Sequence, residues 1–314
     1  PIEVHWSEVP GRDEKWKEET IRNTSEEQFA SEFECEFLGS VDTLINPAKI
    51  KTMVHQTPLS SQGGLEMFVK PEKGRMYVIT VDVARGLMRD YSAFIVFDVT
   101  ELPYKVVATY RNNEVKPLVF PHHIEKVAKA YNNAHILVET NDIGQQIGES
   151  LHFELEYENV FMTSQKGRQG QVLGAGFSKR GSGFGARMTK QIKRIGCSNF
   201  KTLIESDKLI VNDFKIITEI STFIRAATSF RAEEGCNDDL VTCLILFGWL
   251  TNERYFKELN NLNLRERLYS EQANLIEQDM LPFGFIEDGT PEEDKPTIDE
   301  YGQMWHPVTV RKGE

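Results

Sequence analysis

The sequence predicts an α/β fold in which a mixed β-sheet, three antiparallel strands followed by parallel strands, is flanked by helices. Three runs rich in Val, Ile, Tyr and Phe follow one another through short turns at residues 75–84, 92–98 and 104–111, as in an antiparallel meander. A fourth run, residues 134–139, follows a predicted helix over residues 120–131. It is continuously apolar, which is typical of a strand that is buried on both faces beside a parallel neighbour.

The remaining elements favour the same fold class, because helices alternate with short strands after the fourth run. Upstream, the spacing of aromatic residues among charged ones predicts one or two amphipathic helices over residues 13–37. Residues 58–74 are rich in Gly, Pro and Ser and predict a turn-rich connection with one short strand. Further helices are predicted at 143–155, 189–206, 214–224, 238–250 and 252–277, and short strands near 160 and at 208–211.

Length and composition indicate a globular chain with a sizeable core. The chain has 314 residues, of which 40% are hydrophobic. It opens at Pro1 without a basic and apolar leader, and its longest apolar run, residues 240–250, is too short to cross a bilayer. We therefore expect an intracellular fragment of a longer protein, with no membrane partner. The four cysteines lack CxxC spacing, which predicts reduced thiols and neither a zinc site nor a disulfide framework.

Charge is distributed unevenly along the chain. The formal net charge of −12 by itself argues against a nucleic-acid partner, because Lys and Arg dominate phosphate binding. However, no acid lies between Glu158 and Glu205, whereas residues 277–300 carry nine acids and one Lys. The sequence thus predicts a basic middle segment and an acidic tail that is disordered or docks elsewhere.

Two predicted strands end in an acid, Asp82 after "VITV" and Glu139 after "HILV". The helix between the first and fourth strands predicts that these strands lie side by side and parallel, so both carboxylates should meet at one edge of the sheet. Two carboxylates in a half-buried place are costly unless a positive charge lies between them. A hard, oxygen-seeking divalent cation, Mg²⁺ or Mn²⁺, is the simplest partner.

Further acids are candidates for the same site. Asp238 and Asp239 open a predicted core helix, where acids are commonly helix caps, although one Asp suffices for a cap. Together with the two strand-end acids they could hold two metal ions a few ångströms apart, as in the in-line cleavage of phosphodiesters. Asp90 lies in a turn, where Asp is common for local reasons, and is a weaker candidate metal ligand.

The basic stretch "SQKGRQGQVLGAGFSKRGSGFGARMTKQIKR" has two interpretations, a solvated loop or a clamp on a nucleic-acid backbone. It lacks the GK[ST] of a phosphate-binding P-loop, and its glycines allow a backbone to approach a polyanion closely. Contacts to phosphates alone predict little sequence preference. The candidate DNA-binding residues are Lys166, Arg168, Lys179, Arg180, Arg187, Lys190, Lys193 and Arg194.

Several stretches together resemble the large terminase subunit of T4-type tailed bacteriophages. They are "VDVARGLMRDYSAF", "ILVETNDIG", "TKQIKRIGCSNFKTLIESDKLIV" and "AEEGCNDDLVTCLILFGWL", within about residues 75–255. The order of strand Asp, strand Glu and helix-start Asp is similar to that of the RNase H-like fold, the resolvase superfamily of nucleases and integrases.

The resemblance implies the C-terminal nuclease domain that cuts concatemeric double-stranded viral DNA, with little sequence preference, during headful genome packaging. By motif, Asp82, Glu139 and Asp239 are similar to the three catalytic acids, and Asp238 and Asp90 would support them. The implied chemistry is hydrolysis with two Mg²⁺ or Mn²⁺ ions and no side-chain base.

The resemblance also implies an organisation and partners. Residues 1–70 would lead in from a packaging ATPase domain that this chain lacks, residues 71–255 would form the nuclease domain, and residues 256–314 a helix and acidic tail. The implied partners are double-stranded DNA, the portal ring of the viral prohead, the small terminase subunit and the ATPase domain itself. The implied location is the cytoplasm of the infected bacterium.

Two other functions stay open at this point. A non-catalytic module could grip DNA and dock on the portal, although such a module gains nothing from acids that face phosphates. A junction-resolving or strand-transfer enzyme of the same fold would use the same acids, and the sequence does not separate it from a packaging nuclease.

Overall fold

The structure is a computed structural model of the whole chain. It describes residues 6–23, 42–84, 91–141, 143–165, 170–174, 183–226 and 229–262, together with residues 265, 269, 297–298 and 302–305. The chain divides into two compact units, Pro1–Arg267 and Leu268–Glu314. In the second unit, β13 (Thr297–Ile298) pairs antiparallel with β14 (Met304–Trp305).

A seven-stranded mixed sheet forms the centre of the first unit, in the order β1-β2-β5-β4-β3-β6 with β10 beside β5. The predicted meander of β3, β4 and β5 is antiparallel, and β6 pairs parallel with β3. This confirms the predicted fold class. The strands are β1 (Ser60–Gln62), β2 (Leu65–Met67), β3 (Tyr77–Asp82), β4 (Ser92–Asp98), β5 (Tyr104–Asn112), β6 (His135–Val138) and β10 (Leu209–Ile210).

The connection predicted to hold one short strand contains a hairpin. Strands β1 and β2 pair antiparallel across Gly63 and Gly64, and β2 then pairs with β5 at the sheet edge. Both glycines have positive φ, 58° and 90°, the backbone that a tight two-residue hairpin turn requires. The single-strand prediction was therefore wrong, and the glycine pair in the sequence was the signal for the turn.

Helices cover both faces of the sheet. One predicted helix ends earlier than expected, because the helix that begins at Phe214 stops at Ser221. The helix predicted over 143–155 is α-helical over Gly144–Glu149 and continues as a π-helix over Ser150–Glu154. The helices are α1 (Glu14–Asn23), α2 (Pro47–Thr52), α3 (Phe120–Ala130), α4 (Gly144–Glu149), α5 (Lys190–Glu205), α6 (Phe214–Ser221) and α7 (Asp239–Leu250), and residues 254–262 are also helical.

After α6 the chain forms a hairpin, and the sequence analysis assigned the first two residues of this hairpin to the helix. Strand β11 (Phe223–Ala226) pairs antiparallel with β12 (Ser229–Ala232). Thr222 is the C-cap of α6, and Phe223 and the β-branched Ile224, which follow it, favour an extended backbone. The predicted helix over 214–224 was wrong in its last turn for this reason.

Part of the basic glycine-rich stretch is also ordered as strands. Strand β7 (Met162–Gln165) pairs antiparallel with β8 (Gln171–Gly174) and with β9 (Gly183–Phe184). This small sheet lies beside the end of β6, because Val160 bridges to Ile136 and Ala186 bridges to Glu139. The basic stretch is therefore not simply a solvated loop.

The core has two layers, one on each face of the central sheet. Helices α5, α6 and α7 pack on one face, and α3 and α4 pack on the other. Helix α7 is almost entirely buried, and its Phe247 ring stacks on Phe97 of β4 with 3.9 Å between ring centroids. Burial on both faces explains the continuous apolar runs of β3, β4 and β6.

Several sequence predictions fall on residues that the structure does not describe. They include the second half of the helical lead-in over 13–37, most of the predicted helix over 252–277 beyond residue 262, and most of the acidic tail. The predicted domain boundaries after residues 70 and 255 stay predictions. Among the described residues, no helix combines the length and apolar character needed to span a membrane.

The partly buried His135, the first residue of β6, should make the stability of the fold depend on pH. Burial lowers the pKa of its imidazole from 6.5 to about 4. The unfolded chain therefore binds this proton more readily, so the contribution of His135 is complete above pH 6.5 and is lost as the pH falls towards 4. In His135→Gln the decline in unfolding free energy over this window should be smaller by about 2 to 3 kcal/mol.

Urea unfolding at a series of pH values measures this effect. His122→Gln, at an exposed position on α3, is the matched control and should keep the wild-type pH dependence. Equal slopes for His135→Gln and the wild-type protein would contradict the prediction.

Candidate metal centre

The two strand-end acids lie side by side. In the parallel β3–β6 pair, Val81 is opposite Val138, so Asp82 and Glu139 follow at adjacent positions of the same sheet edge. The backbone N–H of Glu139 donates to the carbonyl of Val81 at 2.8 Å, and the carboxyl groups of the two acids share a hydrogen bond. The structure therefore brings together the first two acids that the sequence analysis selected.

Glu139 is held by the segment that follows it. The side-chain amide of Asn141 donates to Oε1 of Glu139 at 2.6 Å. Gly144 begins α4 directly against the carbonyl of Glu139, and an added Cβ at Gly144 would lie 1.8 Å from that oxygen. Only glycine allows this approach. Sequence reasoning missed Asn141, although its place two residues after a strand-end acid was the available signal.

The acids at the start of α7 approach the same pair. Helix α7 is anchored on β3 because Oγ1 of Thr80 donates to the carbonyl of Cys243 at 2.9 Å. Asp238 occupies the N-cap position but makes no side-chain cap hydrogen bond. Asp238 and Asp239 both lie close enough to raise the pKa of Asp82. Asp238 therefore occupies the N-cap position without capping the helix through its side chain.

The cap of α7 comes from a residue that the sequence analysis did not select. Oε2 of Glu219, on α6, accepts hydrogen bonds from the backbone N–H groups of Leu240 at 2.9 Å and Val241 at 3.1 Å. Glu219 is only 4% exposed. An acid among the apolar residues of "FKIITEIS" was the sequence signal, since a buried acid needs a partner.

Arg111, at the end of β5, is the second residue that sequence reasoning missed. Its Nη1 lies 3.4 Å from Oε1 of Glu219, and its Nη2 lies 3.7 Å from Oδ2 of Asp239. The guanidinium also lies over the ring of Tyr91, with 4.0 Å between Cζ and the ring centroid. Arg111 is therefore a fixed positive charge at the edge of the acid cluster.

Electrostatics at this sheet edge are unfavourable to charged carboxylates. Burial raises the pKa of Asp82 well above its usual range, and Glu139, Asp239 and Asp238 raise it further. Burial raises the pKa of Glu219 to about 8, against the opposing effect of Arg111. A cluster of this kind needs protons or added cations to be stable at neutral pH.

Its oxygen donors fit a hard divalent cation, which binds carboxylates and water. Within the described ranges, however, no three His, Cys, Asp or Glu side chains are arranged as a ready-made set of metal ligands. Asp82 and Glu139 share a hydrogen bond, and Oδ2 of Asp239 lies 3.7 Å from Nη2 of Arg111. Asp90 lies outside the described residues. The pair of Asp82 and Glu139 fits a cation, and Asp239 lies close enough to raise the pKa of Asp82 while its Oδ2 lies beside Arg111.

A basic groove of about 790 Å³ lies along α5. Of the candidate DNA-binding residues, Lys190, Lys193 and Arg194 line it, and Arg187 is exposed just before the helix. The opposite wall is the β11–β12 hairpin, which adds Arg225. The remaining candidates lie outside the described residues, namely Lys166, Arg168, Lys179 and Arg180.

Comparison with known protein families shows to which family this chain belongs. A family model described as "Terminase RNaseH-like domain" matches residues 79–253, more than half of the sequence. The chain belongs to the terminase RNase H-like domain family. The matched range contains the paired strand-end acids, the basic groove helix and the start of α7, so the family assignment and the candidate site concern the same part of the chain.

Solved structures of terminases show the same fold. The large terminase nuclease of thermophilic phage G20c, with bound cobalt, has a TM-score of 0.50 and 18% sequence identity to this chain. The match covers 67% of this chain and 97% of the G20c chain, and the magnesium-bound structure of that nuclease gives the same values. This terminase domain therefore has the large-terminase nuclease fold. The narrower T4-type assignment stays a prediction.

Charge repulsion in the acid pair predicts that neutralising one member stabilises the terminase domain in the absence of metal. Asp82→Asn removes the cost of burying a charge beside Glu139, and should raise the unfolding free energy in EDTA at pH 8 by about 1 to 2 kcal/mol. Urea unfolding measures this difference.

The matched control is Asp98→Asn, at the opposite end of the same sheet. Oδ2 of Asp98 accepts from Nη1 of Arg75 at 2.8 Å, so this substitution should lower the unfolding free energy. A loss of stability in Asp82→Asn would show that the pair is not under electrostatic stress.

Proposed function

We propose that this terminase domain is a metal-dependent endonuclease that cuts concatemeric double-stranded viral DNA during headful packaging. The observation that carries the proposal is the contact between Asp82 and Glu139 at the end of a parallel strand pair, with Asp239 beside it. Burying like charges together costs stability and suits a site that binds cations.

In the proposed mechanism, Asp82, Glu139 and Asp239 hold two Mg²⁺ or Mn²⁺ ions, with Asp238 and Asp90 in support. Such ions, when bound, lower the pKa of a water and stabilise the leaving oxygen of a phosphodiester. Asn141 keeps the Glu139 carboxylate oriented through its 2.6 Å hydrogen bond, and Thr80 keeps the start of α7 at the sheet edge. No side-chain base is required.

The known metal chemistry of a relative supports a divalent cation. The G20c nuclease has been solved with bound cobalt and with bound magnesium. Carboxylate oxygens, the donors available here, suit Mg²⁺ and Mn²⁺ best. The number of ions and the choice between these two metals belong to the proposal.

DNA would reach the acids along the basic groove. Among the described residues, five cationic side chains and no acid line it: Lys190, Lys193, Arg194, Lys201 and Arg225. Lys and Arg side chains that line a groove contact phosphates and not base edges, which predicts binding with little sequence preference. We further propose that the domain works in the host cytoplasm with the portal ring, the small terminase subunit and a packaging ATPase domain.

Asp82→Asn and Glu139→Gln should each abolish Mg²⁺- or Mn²⁺-dependent nicking of plasmid DNA, with a loss of about 10³-fold or more, because each removes a metal ligand. Gel assays of supercoiled plasmid measure the rate, and circular dichroism checks the fold. Asp207→Asn, a carboxylate-to-amide change at an exposed turn, is the matched control and should cleave as the wild-type protein does.

Retained cleavage in either strand-end variant would refute the assignment. A wild-type protein that binds plasmid without cutting it would favour a DNA-gripping module. A wild-type protein that cuts four-way junctions and spares linear duplex would favour a junction-resolving enzyme.

Charge reversal in the groove should weaken DNA binding without regard to sequence. Lys193→Glu and Arg225→Glu should each lower affinity for a duplex by about tenfold at low salt and reduce the slope of log K against log salt by about one. Fluorescence anisotropy over a salt series measures both quantities. Lys126→Glu, the same charge change at an exposed site on α3, should have little effect. Equal effects in all three variants would argue against the groove.

A further inference from the structure

Glu219 stabilises the start of α7 from another helix. A helix start leaves backbone N–H groups without partners, and the N-cap side chain usually accepts one of them. Here the N-cap residue Asp238 makes no such bond, and Oε2 of Glu219 accepts from the N–H groups of Leu240 and Val241 instead. The acids at the helix start are thereby available for other interactions.

The second oxygen of Glu219 links this cap to Asp239 through Arg111. Oε1 of Glu219 is buried and makes no hydrogen bond among the described residues, but it lies 3.4 Å from Nη1 of Arg111. The other end of the guanidinium lies 3.7 Å from Oδ2 of Asp239. Both distances exceed the 2.7 to 2.9 Å typical of charge-assisted hydrogen bonds, so attraction is present without a locked geometry.

Arg111 itself is held from two sides. Tyr91 stacks on the guanidinium at 4.0 Å, which fixes its plane. Its Nε is buried and without a hydrogen bond among the described residues, an arrangement that costs stability. The position of Arg111 between two carboxylates therefore explains its burial better than local hydrogen bonding does.

We propose that Glu219 and Arg111 are positioning residues, which set the orientation of Asp239. This inference rests on the proposed function. Glu219 fixes the start of α7, and Arg111 attracts Asp239 until a divalent cation competes for the same oxygen. Neither residue needs to touch DNA or metal, so their effects should appear through Asp239.

The two charges have opposite signs, and so do the expected effects on metal binding. Arg111→Gln removes a positive charge near the cation and should tighten Mn²⁺ binding by about threefold to tenfold. Above pH 8, where the Glu219 carboxyl is ionised in spite of its raised pKa, Glu219→Gln keeps an amide oxygen for the cap but removes a negative charge, and should weaken Mn²⁺ binding by a similar factor. Both should lower kcat at saturating Mn²⁺ by about tenfold, with KM for DNA unchanged, because Asp239 is no longer oriented.

The experiment has three readouts. Calorimetry measures Mn²⁺ binding to the protein without DNA, plasmid nicking measures kcat and KM, and thermal unfolding in EDTA reports the fold. The double variant tests the link, since two residues that act through one carboxylate should give a loss in kcat close to that of the worse single variant. Arg75→Gln is the matched control, because Arg75 pairs with Asp98 at the opposite end of the sheet.

Opposite shifts in Mn²⁺ affinity, together with non-additive losses in kcat that Arg75→Gln lacks, would support the inference. If the wild-type protein binds Mn²⁺ and cuts DNA while both variants stay within twofold of it, this inference fails and the proposed function stands. The inference also fails if kcat falls without a shift in Mn²⁺ affinity. A wild-type protein that neither binds Mn²⁺ nor cuts DNA refutes the proposed function, and this inference with it.

Discussion

The parallel pairing of β3 with β6 is the contact on which the candidate site depends. It sets Val81 opposite Val138, so that the next residues, Asp82 and Glu139, share one edge of the sheet. A slip of one residue would turn one carboxylate to the other face. Both strands are buried between helical layers on either face, and this apolar packing fixes the register. Hydrophobic burial thus supplies the free energy that holds two mutually repelling groups in contact.

At the start of α7, capping and site formation are carried out by different residues. Glu219, from another helix, accepts hydrogen bonds from the backbone N–H groups of Leu240 and Val241, which leaves the acids at the helix start to face the sheet edge. The all-round apolar character of α7 buries it, and a buried helix start tolerates no error in hydrogen bonding. The same carboxylate that satisfies the helix therefore also borders the acid cluster, so stability and site geometry are coupled through one side chain.

These features differ in how far sequence could predict them. The meander, the parallel strand and the adjacency of Asp82 and Glu139 follow from local patterns plus one crossover helix, and the structure has them. Arg111 and Glu219 do not follow, because each acts on a residue distant in the chain through side-chain geometry that no local pattern encodes. The hairpin at Gly63 and Gly64 is an intermediate case. Its turn signal, the glycine pair, is local, but the surrounding Pro and Ser residues indicated a loop instead of paired strands.

The acidity of the chain is compatible with a DNA partner for a physical reason. The formal charge of −12 counts every carboxylate as ionised and exposed. Because the pKa values of Asp82 and Glu219 are raised, bound protons neutralise part of this formal charge unless a cation takes their place. A polyanion responds to the local field, which salt limits to about 10 Å at 0.1 M. Because no acid of the part of the chain that the structure describes lines the groove along α5, its cations set the field there. The average charge of this chain therefore does not exclude nucleic acid.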